Sequence, residues 1–164
     1  MNSLDVLVDP TVDPAALVPL LHLENSTRPG ILDPNHGEEG LAPYRPLPEL
    51  DVPDGPYRLL DVERGDEFLG VPPGEAVETI RGRGRTPLTI HEGIALVATH
   101  PELLVKNHCF MLAGSRRTDS RGAKRVPALW ISQGAPKLGW CWEGNPHSWL
   151  GTASAGGRVR RAGR

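Results

Sequence analysis

The chain has 164 residues, a formal net charge of −2 and a mean hydropathy of −0.31. That is enough length for one domain with a sizeable core. Seventeen prolines and 19 glycines are well above the average share of about 12%, so many turns and short elements are expected. No apolar run approaches the roughly 18 residues of a membrane-spanning helix.

Charge is unevenly placed. Residues 1–80 carry 16 acids and 4 bases, whereas residues 81–164 carry 4 acids and 14 bases. Such asymmetry can mark a nucleic-acid or membrane surface. It can equally mean that an acidic half packs beside a basic half. Membrane binding is not expected. Nucleic-acid binding is not the favoured reading, since no recognised motif accompanies the arginines and the sequence pI is near 6.3. Cys109 and Cys141 form no Cys-x-x-Cys pair, and Met1–Asp5 has neither a basic start nor an apolar run. A cytoplasmic protein with reduced thiols is expected.

In chain order, Leu4–Val8 reads as a strand. Asp13-Pro14 starts a helix, with the aspartate as N-cap and proline in the first position, ending near Asn25. Thr27–Gly30 is a turn. Residues 33–56 are rich in proline, glycine and acids without periodicity, so an irregular surface segment is expected there. Tyr57–Val62 is a strand. Pro72-Pro73 opens a helix with Ala76, Val77 and Ile80 on one face, stopping near Gly82. Thr89-Ile90-His91-Glu92 is a capping box, starting a helix whose stripe is Ile90, Ile94, Val97 and Ala98. Strands are predicted at Cys109–Ala113, Val126–Ser132, Leu138–Trp142 and Ser148–Thr152. A polar loop, Ser115–Lys124, and turns at Gln133–Pro136 and Gly144–Pro146 connect them. Short connections predict antiparallel pairing. The fold class is therefore α+β: a C-terminal antiparallel sheet of about four strands, covered by two or three helices and wrapped by the long acidic segment. One domain over 1–155 and a flexible basic tail over 156–164 are expected.

Three of the four tryptophans lie in Leu138–Gly151. In a strand, Trp140 and Trp142 share one face and Cys141 takes the other. The two indoles then form either a stacking platform or a cover for the Ile90–Ala98 helix. With Asn145, Trp149, Arg85 and the loop residues His36 and Glu38 they are candidate ligand-binding residues. Cys141 and His147 are candidate nucleophile and base, provided that an imidazole lies within reach of the thiol. No pair of residues has a metal-ligand spacing, and no metal or cofactor is expected.

The segments Arg85-Thr86-Pro87-Leu88-Thr89-Ile90, Asn107-His108-Cys109-Phe110, Arg125-Val126-Pro127-Ala128-Leu129-Trp130 and Gly139-Trp140-Cys141-Trp142, with Gly144-Asn145-Pro146-His147 and Trp149-Leu150-Gly151, resemble a domain family of unknown function. That family occurs in high-GC Gram-positive bacteria. The likeness runs from about Arg28 to about Gly151 and implies no established activity. The functional expectation is a non-catalytic binding or interaction protein using the Trp-rich hairpin, its partner a protein or a small-molecule ligand. A small hydrolase or transferase with a Cys/His site is the first alternative. Nucleic-acid association through the basic half is the second.

Overall fold

The computed structural model describes residues 4–161. The elements are β1 (Val6–Val8), α1 (Pro14–Leu17), β2 (Ile31–Leu32), β3 (Arg45–Pro46), β4 (Tyr57–Leu60), α2 (Pro73–Gly82), β5 (Thr86–Pro87), α3 (Ile90–Thr99), β6 (Cys109–Met111), β7 (Ser115–Thr118), β8 (Lys124–Ser132), β9 (Ala135–Trp142), β10 (Leu150–Thr152), β11 (Ser154–Ala155) and β12 (Gly157–Arg160). The class is α+β, and the main sheet is larger than the four strands expected: seven strands contribute to it.

Its centre is the β8–β9 hairpin, paired over eight residues from Arg125–Trp142 to Ser132–Ala135. Gln133 and Gly134 both have positive φ (55° and 74°), the backbone of a two-residue turn that matches strand twist. On its other edge β8 pairs with β6 and, further along, with β7. Pro127 sits at the break between those two partners. Its carbonyl accepts from Leu112 N at 2.8 Å, and on that edge neither β6 nor β7 pairs with it in the ladder, which is where a strand tolerates a residue without an N–H. Part of the predicted polar loop is thus a strand, β7, leaving 119–123 as the turn.

Two pairings are parallel, contrary to expectation. β10 pairs with β6, and β2 pairs with β9. The 143–149 loop carries the chain past β9 rather than turning back along it, and this makes β10 a neighbour of β6.

Helix starts follow the sequence. The Asp13 carboxylate accepts from Ala15 N at 3.0 Å, although Pro19 turns α1 into a short 3-10 segment well before Asn25. α2 buries Ala76, Val77 and Ile80 as predicted. At α3 both halves of the capping box are formed.

The C-terminal segment departs most from expectation. Gly157–Arg160 is not a tail. It pairs antiparallel with β4, which on its other side pairs with β1. The cause is Arg158, whose guanidinium is buried against Glu92 through Nε–Oε2 (2.5 Å) and Nη2–Oε1 (2.9 Å). Tyr57 Oη donates to the same carboxylate at 2.6 Å. Residues 162–164 of the expected tail lie outside the described residues. No helix among the described residues is long and apolar enough to cross a membrane.

Candidate tryptophan surfaces

The Trp-rich segment divides into two surfaces. On β9, Trp140 and Trp142 lie on one face as the strand period requires. Their rings meet edge to face, centroids 4.7 Å apart. Arg125 is the cross-strand partner of Trp142, and its guanidinium lies 4.2 Å from the Trp140 ring centre and 5.8 Å from that of Trp142. Neither indole is in the buried core, and Trp142 is 36% exposed. Of the two alternatives, a buried cover for the Ile90–Ala98 helix does not fit: their face is shared with a cation and with solvent.

The acidic segment reaches this face. Asn35 O accepts from Trp140 Nε1 at 3.1 Å, and Leu138 O accepts from Asp33 N at 3.0 Å. His36 is not an open ligand group, as first expected, but a buried pin. Its Nε2 lies 3.0 Å from Leu138 O and its Nδ1 3.3 Å from Tyr44 Oη. A carbonyl can only accept, so we assign the proton to Nε2, and Nδ1 receives the tyrosine hydroxyl. Burial lowers the His36 pKa, outweighing the opposing Leu138 hydrogen bond and Asp33, which keeps the ring neutral. Glu38 is exposed. Its neighbour Glu39 faces Arg117 at 3.7 Å.

The second surface is concave. Trp130 and Trp149 meet edge to face at 5.9 Å, and the His147 ring lies 5.4 Å from that of Trp149. With Lys106, Asn107, Cys109 and Ile131 the two indoles line a cavity of about 250 Å³. Trp130 is held flat over Gly139: a Cβ there would lie 2.0 Å from its Cη2. The sequence reading missed Trp130, which stands outside the Trp-rich segment. The signal was present, since pairing β8 with β9 sets a glycine diagonal to a tryptophan, a combination that recurs where an aromatic ring covers a bare backbone.

The Cys141–His147 pair does not form. Cys141 points into the core, its Sγ 3.1 Å from Met111 Sδ, and burial pushes the thiol up to about 12. A nucleophile needs the opposite shift. His147 packs on Trp149 instead, and Asn145 is exposed. Arg85 is committed to the fold, donating to Asp61 Oδ2 at 2.8 Å and Ser154 Oγ at 3.1 Å. Arg81 pairs with Glu49, Arg83 with Glu67 and Arg160 with Asp54. Much of the basic half is thus matched to the acidic half within one molecule. Among the described residues no group of three His, Cys, Asp or Glu side chains is placed to hold a metal.

These features define a mixed α+β domain with an aromatic cavity on one side of its central hairpin and a cation-capped tryptophan pair on the other. A family profile matches residues 2–161, and the chain belongs to that family, the family of unknown function DUF5701. The match reaches beyond the Arg28–Gly151 span that holds the motifs of the resemblance. No curated protein and no solved structure matches the chain.

Proposed function

We propose that the protein is a non-catalytic binding protein whose ligand is a small, flat, mainly apolar molecule held against the wall that Trp130 and Trp149 form together. The observation that carries this is the cavity of about 250 Å³ with two indoles in its wall. Concave, largely apolar sites with a few polar groups at the rim are the common form of a small-molecule site. Lys106 and Asn107 supply those polar groups here. Trp149 is 37% exposed, so closing a ring against it removes apolar surface from water. Cys109 also lines the cavity, but burial raises its thiol to about 11, which supports packing rather than attack.

The test is an NMR titration of ¹⁵N-labelled protein with p-cresol, a neutral flat ring. Saturable shifts of the Trp130 and Trp149 indole N–H signals, lost in Trp149→Ala, are expected. No saturation up to about 10 mM, a range that would detect even millimolar affinity, would remove the reading.

A further inference from the structure

The opposite face of the hairpin carries an independent feature. Arg125 and Trp130 differ in parity along β8, so they lie on opposite faces of the strand. Arg125 is stacked but not neutralised. Its Nε is buried without a hydrogen-bond partner, and no carboxylate pairs with it among the described residues. Arg117 lies directly across the β7–β8 ladder from it. Like charges placed opposite each other on a ladder are destabilising, so this pair calls for a counter-charge.

The protein supplies little of one. Arg117 Nη1 donates to His36 O at 2.9 Å, and its Nη2 faces the exposed Glu39 at 3.7 Å. Asp33 accepts from Asn35 N, and Asp119 accepts from the N–H groups of Arg121 and Ala123. Glu143 is taken by Arg116. Lys124 and Arg121 add further positive charge to the same hairpin.

We propose that Arg125 and Arg117 form an oxyanion site, the ligand presenting two oxygens of a carboxylate or a phosphate to the guanidinium stacked on Trp140 and Trp142. A stacked guanidinium is fixed in plane, and its fork matches two oxygens of one acceptor group. The tryptophan wall holds that fork in place by cation–π attraction. Trp140 is in turn fixed by Asn35 O, so the site is organised before a ligand arrives.

The site is tested by titrating labelled protein separately with inorganic phosphate and with acetate, sodium chloride holding ionic strength constant. The expected result is a saturable shift of the Trp140 and Trp142 indole N–H signals and of Arg125 Nε–H, with those of Trp130 and Trp149 unmoved. The probe that binds more tightly assigns the anion class. Arg125→Lys keeps the charge but loses the fork, and should weaken binding about tenfold or more. Should that variant fail to give a folded amide spectrum, Arg117→Lys is expected to show a weaker effect of the same sign. Shifts that track chloride equally, or an Arg125→Lys variant that titrates like the parent, would overturn the proposal. So would binding of a single-stranded oligonucleotide with no response to either small anion. The p-cresol experiment reports on different tryptophans, so either site can fail without the other.

Discussion

Glu92 is the residue whose loss should be felt most widely. Its carboxylate is fully buried and serves three partners: Thr89 N at 2.8 Å, Tyr57 Oη at 2.6 Å and the Arg158 guanidinium in a two-point pair. Glu92→Gln is the informative change, because an amide oxygen can still accept from Thr89 N and preserve the cap. What disappears is the charge facing Arg158, whose side chain is 6% exposed. An uncompensated buried charge costs about 3–5 kcal/mol, a large part of a total stability of about 5–15 kcal/mol. Arg158→Met should cost a similar amount for the mirror reason. The double variant should cost less than the two singles together, since neither charge is then stranded, with a coupling of about 0.5–3 kcal/mol. Urea unfolding followed by tryptophan fluorescence measures all three, with an unchanged slope against denaturant marking intact two-state behaviour. A Glu92→Gln cost below about 1 kcal/mol, or strictly additive singles, would refute the reasoning.

Gly139→Ala should destabilise by about 1–3 kcal/mol through overpacking against Trp130 and shift the Trp130 indole signal, as NMR and urea unfolding would show. Both thiols should resist an aromatic disulfide reagent in the native state at pH 8, Cys141 held up to about 12 and Cys109 to about 11. Native labelling faster than unfolding would contradict their burial. His36 binds a proton less readily folded than unfolded. Its contribution to stability is therefore intact above the ordinary value of 6.5 and declines as pH falls below it. Melting temperatures from pH 7.5 to pH 5 should drop more steeply for the parent than for His36→Gln, and parallel curves would argue against the assignment.

Local signals were legible wherever one residue type solves a local problem. The Asp13 cap and the Thr89–Glu92 box form because each satisfies backbone groups within one turn, and the Pro72-Pro73 start forms because proline has no N–H to leave unpaired and a φ already suited to a helix. Alternation put Trp140 and Trp142 on one face, again a local rule. The failures lie where the partner is distant in sequence. Nothing near Arg158 announces that Glu92, 66 residues away, will bury it, so a Gly- and Arg-rich stretch read as a tail. His36 in an acidic, Pro/Gly-rich segment looked solvated until the Leu138 carbonyl supplied its partner. The Cys141–His147 pairing failed for the converse reason, since closeness in sequence does not bring a core-facing thiol to a loop imidazole. Trp130 was passed over because its significance depends on strand register, which only the assembled sheet fixes.

β4 takes one neighbour, β1, from near the start of the chain and the other, β12, from near its end. During synthesis the β1 side can zip early, whereas the other side must wait until residues 157–160 leave the ribosome. Until then Tyr57–Leu60 presents a bare row of amides and carbonyls, the kind of edge on which a second unfinished chain can add a strand. Loss of residues 157–160 from the finished protein would bare the same edge of β4, so removing the last described strand is expected to favour strand addition between copies as well as breaking a sheet.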